Sequence, residues 1–369
     1  MPLDIGQAFP VYFATNRRLM GSRERVRFGE RCHRDGAHFY RVGTATMRKV
    51  SDDLDEGYVV TAIDVKGEGR TNPQARGSGK LFQEIRESVS QQGCDVLVYI
   101  HGFANDFEGS LVRAAQLHEL YQVGPRDDPK HPVVFAFCWP SNGRVTPPWE
   151  YFSDRVDAQA SGVAMARALL RLSDFLRGHG EPCNQRLHLV AHSMGNWALR
   201  HALQAFESLQ ARPGPTPIFD NVFLMAPDED DDAFEHEHKL KPLLGLARRV
   251  HVYHSDDDRA LVISDVTKFN PDRLGYSGLR SFSGISSRVI QVDCQDVDDT
   301  EFLHVNHQYY RRRGEVIRDV REVLIGTRPD SIAGREVVEP GRRYRILLGN
   351  TEPKLGTPDK PVGPEYIAS

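Results

Sequence analysis

Ser193 is the residue of this sequence whose surroundings best suit it to chemistry. It sits in Ala191-His192-Ser193-Met194-Gly195, with a small residue two positions away on each side. An apolar run ends at Val190 and a helical pattern begins after Gly195. A chain that turns from strand to helix this sharply strains the backbone of the residue at the turn, and larger flanking side chains would clash. The turn lifts the serine hydroxyl off the top of a sheet and aims a helix N-terminus at the charge that forms during attack. A serine hydroxyl is a weak nucleophile at neutral pH. It needs a base within reach, an acid to orient that base, and donors for the oxyanion.

Candidates for each role follow other apolar runs. His101-Gly102-Phe103 comes directly after the run 96–100, and Gly102 lets the backbone approach a substrate. The N–H groups of Phe103 and Met194 are the expected oxyanion donors. Asp256, Asp257 and Asp258 follow the run 250–254. Asp258 is assigned as the acid, because such loops need a few residues to bring a carboxylate back over the site; Asp257 is the alternative. His304 and His307 lie in the segment 301–310, after the last strand. His307 opens a His-x-Tyr-Tyr run just ahead of the closing helix and is assigned as the base, with His304 second. The order serine, aspartate, histidine is one of the known orders for such a triad. The acidic run Asp228 to Asp232, with His236 and His238 nearby, reads as helix capping and solvated surface rather than a metal site. Arg311-Arg312-Arg313 reads as a charged face. No metal or organic cofactor is expected.

The elements that must position these residues are strands alternating with helices. Residues 11–15, 38–47 and 57–65 read as strands, with Arg17-Arg18 leading into a loop, 67–79 as a further loop and 81–90 as a short helix. Strands are then predicted at 96–100, 133–138, 187–190, 221–225, 250–254 and 289–292, the last of the central sheet. Helices are predicted at 108–121, at 157–176 with Val163, Ala166, Leu170 and Leu176 on one stripe, after Gly195 with Leu199, Ala202, Leu203 and Phe206 on one face, and at 315–324. The fold class is therefore α/β, a mostly parallel central sheet with helices on both faces joined by right-handed crossovers. Chemistry clusters after strand C-terminal ends, where such sheets place their sites. One domain is expected over 1–327, with N-terminal strands and loops in 1–92 and the core in 93–327. Residues 328–369 are expected to form a partly disordered extension, and 262–288 to cover the site.

Composition narrows the partners. Lys and Arg number 47 against 51 Asp and Glu, a formal net charge of -4, which gives no case for nucleic acid. No apolar run is long enough to cross a bilayer, and the N-terminus lacks a signal core, so a cytoplasmic location is expected. Cys32, Cys94, Cys138, Cys183 and Cys294 are scattered without metal-like spacing, and Cys94 and Cys138, at or in apolar runs, read as reduced, mostly structural thiols.

Taken together these motifs resemble a bacterial α/β-hydrolase group known as domain of unknown function 900. The resemblance is carried by Val98-Tyr99-Ile100-His101-Gly102-Phe103-Ala104-Asn105-Asp106-Phe107-Glu108, Trp139-Pro140-Ser141, residues 151–154 and Ala191-His192-Ser193-Met194-Gly195-Asn196. Met225-Ala226-Pro227-Asp228, Asp258-Arg259-Ala260-Leu261, Arg273-Leu274-Gly275, His307-Gln308-Tyr309-Tyr310 and, near the N-terminus, Phe13-Ala14-Thr15-Asn16-Arg17 extend it. It implies an α/β-hydrolase fold and a Ser/Asp/His triad, but no substrate. The three-aspartate run blurs the register of the acid, and the tail beyond Thr327 has no counterpart. The expected activity is that of a carboxylesterase acting on a small-molecule or lipid-like ester. An acyltransferase, amidase or peptidase with the same triad, and a non-catalytic binding module on this scaffold, are the alternatives.

Overall fold

A computed structural model describes residues 3–21, 26–67, 77–125, 127–146, 149–178, 185–209, 217–261, 272–297 and 306–349. An eleven-stranded sheet runs through them in the order β12-β13-β11-β10-β9-β8-β6-β7-β1-β4-β5. Its strands are β1 (Ala8–Thr15), β4 (Arg41–Lys49), β5 (Tyr58–Val65), β6 (Val96–Ile100), β7 (Val133–Phe137), β8 (Leu187–His192), β9 (Phe219–Met225), β10 (Ala247–His254), β11 (Val289–Asp293), β12 (Arg335–Glu339) and β13 (Arg343–Ile346). From β13 across to β1 every neighbouring pair is parallel, and β12, β4 and β5 add antiparallel edges. Strands β6 to β8 are buried at every residue, which is why β6 and β7 are unbroken apolar runs and β8 is apolar apart from His188 and His192.

Side chains of each strand alternate between two cores. Val96, Val98 and Ile100 face the side covered by α1 (Gly77–Gln92), α4 (Gly162–Gly178) and α5 (Gly195–Leu209). Leu97 and Tyr99 face the side covered by α2 (Phe107–Leu120) and the helix Gly314–Ile325. The chain leaves β6 for β7 on one flank, then crosses back to β8 on the other. That reversal opens a crevice at the C-terminal ends of β6 and β8, where His101-Gly102-Phe103 and Ser193 lie.

Four local expectations are corrected. Arg17 and Arg18 enter no loop: Arg17–Gly21 (β2) pairs with Val26–Cys32 (β3) in a separate hairpin. The single helix predicted over 157–176 is two, α3 (Trp149–Ala160) and α4, broken at Ser161. Ser161 Oγ donates to the Asp157 carbonyl at 2.6 Å, and Asn16 Nδ2 donates to Ser161 Oγ at 2.9 Å, which turns the chain. After that break Val163 faces solvent, and the buried side of α4 runs through Met165, Leu169, Leu172 and Leu176. Finally, β11 is not the last strand. β13 pairs with it in parallel, and Arg335 of β12 is buried against Asp319 of the closing helix, Nη2 to Oδ2 2.7 Å. The tail from residue 350 lies outside the described residues, as do 262–271 of the segment expected to cover the site.

Gly162 lets α4 lie directly on α5, since a Cβ there would come 2.6 Å from the His201 carbonyl carbon. Alanine is otherwise the better helix former, but this contact is with backbone, which yields little. Gly162→Ala is expected to destabilise the fold by about 1–3 kcal/mol. Thermal or denaturant unfolding checks this; an unchanged or raised midpoint would mean that α4 shifts freely.

Candidate active site

The turn between β8 and α5 holds Ser193 at φ 52°, in the left-handed region. Its backbone is pinned on both sides. Ser193 N–H donates to Met225 O at 2.9 Å, and its carbonyl accepts from the N–H of Asn196 at 3.0 Å and of Asp228 at 3.2 Å. Asn196 Nδ2 adds a further bond to that carbonyl at 3.0 Å. The small residue at 195 is a packing requirement: a Cβ would lie 2.6 Å from His101 O and 2.7 Å from Ile100 O. Gly102 is equally constrained, with 2.9 Å between its would-be Cβ and that of Ser193. Besides Ser193, the described non-glycine residues with positive φ are Ala104, Ala226 and Asn306. Ala104 follows Phe103, Ala226 lies between Met225 and Asp228, whose backbones bond Ser193, and Asn306 precedes His307. Backbone strain is thus concentrated on the loops around one crevice, a common property of functional sites.

His307 and Asp258 meet across the ends of β10 and β11, with His307 Nδ1 2.6 Å from Asp258 Oδ2. Asp258 is fully buried, and its Oδ1 accepts from the N–H groups of Ala260 at 3.1 Å and Leu261 at 3.2 Å. Burial pushes its carboxyl above the usual range, and the His307 ring and these bonds oppose that. Asp256 and Asp257 are exposed, so of the three aspartates only Asp258 is turned inward. His307 is joined to the serine turn through His192. The Nε2 of His192 lies 3.0 Å from the His307 carbonyl, and the two rings are 4.7 Å apart. Burial and the nearby His307 hold His192 well below the usual histidine range, so it is neutral. Asn306 Nδ2 donates to Ser255 Oγ at 3.2 Å, tying the histidine segment to the acid loop. Ser193 Oγ has no hydrogen-bond partner among the described residues, and His304 lies outside them. Catalytic hydrogen bonds are often loose until substrate binds.

The two expected oxyanion donors are free: among the described residues neither Phe103 N–H nor Met194 N–H has a hydrogen-bond partner. The loop carrying Phe103 is braced by residues to which the motifs assign no role. Arg17 is fully buried, donating from Nη1 to Ser141 O and from Nη2 to Asn105 O, each at 2.8 Å. Burial lowers its pKa to about 10, which leaves it charged. Asp154 of α3 accepts from Ser141 Oγ at 2.5 Å and from the N–H groups of Ala104 at 3.4 Å and Asn142 at 3.2 Å. Burial pushes its carboxyl up to about 6. The signals in the sequence were an arginine just after an apolar strand, an aspartate on an otherwise surface-like helix, and the place of both in motifs shared with the resembled group.

A family model for an α/β-hydrolase of unknown function, DUF900, matches residues 79–328. The chain belongs to this family. The match covers β6 to β11 and every site residue described above except Arg17, while β1–β5, β12 and β13 lie outside it. The α/β-hydrolase fold expected from the motifs is the fold of this DUF900 protein. No curated protein matches the chain. No helix among the described residues is long and apolar enough to cross a membrane.

Two charged runs of the DUF900 chain differ from expectation. Asp228 and Glu229 are buried, not solvated. Asp228 accepts from Tyr151 Oη at 2.5 Å and lies 3.8 Å from Arg155 and 3.7 Å from Arg273, so it gathers α3 and the segment before Leu274 behind the serine turn. Glu229 pairs with Arg200 at 3.2 Å, and burial raises its carboxyl to about 7. No metal-binding group of His, Cys, Asp and Glu occurs among the described residues. Arg311 and Arg313 are likewise buried; Arg311 and Arg312 both pair with Asp55, as does Arg113 of α2. Asp228, Glu229, Arg311 and Arg312 found counter-charges far away in the chain, which a local reading cannot see, whereas Arg313 pairs with nearby Glu315.

Proposed function

We propose that this protein is a serine hydrolase that cleaves carboxylic esters. Ser193 Oγ attacks the acyl carbon while His307 Nε2 takes its proton, and the tetrahedral oxyanion is held by the N–H groups of Phe103 and Met194. Asp258, bonded to Nδ1, keeps the ring proton on Nδ1 rather than Nε2 and stabilises the imidazolium that forms. His307 then gives the proton to the leaving alcohol, an acyl group stays on Ser193, and water deacylates it by the same route. The observation that carries this reading is the 2.6 Å contact between His307 and buried Asp258, made beside a strained serine and two free N–H groups.

A fluorophosphonate probe tests the nucleophile: covalent labelling at Ser193 is expected, and an unlabelled protein would favour a binding role for the scaffold. A panel of matched esters, thioesters and amides then tests the leaving group. Faster turnover of amides than of esters would replace the esterase reading by an amidase. Acyl transfer to added alcohols in preference to water would replace it by a transferase.

Asp258→Asn is expected to lower kcat by on the order of 10³–10⁴, since the amide favours the wrong tautomer of the base. Asp256→Asn serves as the control and should change kcat by less than about twofold, since surface substitutions of this kind have small effects. Steady-state kinetics on one ester checks both; equal effects would remove Asp258 from the mechanism.

A further inference from the structure

We propose that the side-chain amide of Asn105 aims and strengthens the Phe103 N–H as an oxyanion donor, making Asn105 a positioning residue of the reaction. The inference rests on the serine-hydrolase reading above. Phe103 N–H and Gly102 C=O belong to one peptide unit, which is planar and trans, so a bond that holds the oxygen also fixes the direction of the N–H. Asn105 Nδ2 lies 3.2 Å from Gly102 O and 2.9 Å from Phe103 O. Two carbonyl oxygens around one terminal atom identify that atom as the NH2, because an amide oxygen cannot donate to either. One side chain thereby spans two successive peptides. The second is held from its other end by Ala104 N–H, which donates to Asp154 at 3.4 Å across a left-handed residue.

The other contact to Gly102 O cannot do this alone. His101 Nδ1 lies 2.9 Å from Gly102 O, while its Nε2 lies 3.1 Å from Trp139 O. Both carbonyls need a donor, and a neutral imidazole has one N–H. Burial and Arg17 lower the His101 pKa to about 3, so the ring stays neutral and leaves one carbonyl without it. Asn105 supplies a donor to Gly102 O whichever tautomer His101 adopts. When an oxyanion bonds Phe103 N–H, electron density shifts toward Gly102 O, and a donor already in place there becomes stronger in step. The gain is realised in the tetrahedral state and not in substrate binding, which assigns the effect to kcat.

Asn105→Ala and the near-isosteric Asn105→Asp test this in the full chain. Both keep the backbone bonds of residue 105, whose N–H donates to Ser141 Oγ at 3.1 Å and whose carbonyl accepts from Arg17. Loss of a direct oxyanion donor costs about 10²–10³ in kcat, so loss of its support is expected to cost roughly 10- to 100-fold. The larger loss belongs to Asn105→Asp, which turns a carboxylate toward two carbonyls. KM should stay within about threefold, and the affinity for a boronic acid, which forms a tetrahedral adduct on the serine, should fall in parallel with kcat. The pH limb of the rate should not move. Unchanged kcat and boronate affinity in Asn105→Ala would overturn the proposal, as would a loss confined to KM or one that tracks a fall in melting temperature in both variants. A wild type that fluorophosphonate does not label overturns the serine-hydrolase reading instead.

Discussion

Ser193→Ala is expected to lower ester turnover by on the order of 10⁶, as removal of the nucleophile does in serine-triad enzymes. The fold should survive the change. Every hydrogen bond of Ser193 is made by its backbone, and its Oγ has none among the described residues. Alanine also carries a Cβ, so the strain at φ 52° is unaltered. Ser193→Gly separates strain from chemistry: it should be as inactive as alanine yet more stable, because glycine enters the left-handed region at no steric cost, a difference of about 1 kcal/mol. Calorimetry on both variants, with turnover of a chromogenic ester, checks the pair. Near wild-type turnover in Ser193→Ala would remove Ser193 as the nucleophile. A glycine variant less stable than the alanine one would mean that the turn is not strained.

The second large effect belongs to His307 and to pH. As a base His307 must be neutral, and Asp258 must be ionised to orient it. Both conditions are met as pH rises, so kcat/KM should climb through roughly pH 6–7.5, around the ordinary histidine value of about 6.5, and then level. Burial raises the Asp258 carboxyl while His307 draws it down, so the two titrate as a pair, and the limb reports the pair. His192 stays neutral across this range and adds nothing to it. His307→Ala is expected to cost about as much kcat as loss of the serine and to remove the limb. The comparison needs His304→Ala beside it, in an ester stable across the range. A His307→Ala enzyme that keeps its rate and limb would move the base elsewhere, with His304 the first alternative.

Much of the architecture was legible in the chain because it is written in local patterns. Apolar runs at 96–100 and 133–138 and the mostly apolar 187–190 mark strands covered on both faces, and the small residues around Ser193 mark a sharp turn at the end of the last. The same patterns placed His101 to Phe103, the aspartate run and the histidine segment after strand ends. Local patterns also mislead where a charge is buried. Asp228 and Arg311 read as surface charge, Arg17 as entering a loop and Arg335 as part of a partly disordered extension, yet all four are buried. Their partners are Ser141 and Asn105, Arg155 and Arg273, Asp55, and Asp319, some more than two hundred residues away in the chain. Which of three adjacent aspartates meets His307 was likewise decided only in three dimensions, by the loop that buries Asp258 and leaves Asp256 and Asp257 in solvent. The spacing of apolar residues reports which side of an element faces the core. A buried charge is tolerable only through a specific partner, and that partner exists only once the chain has folded.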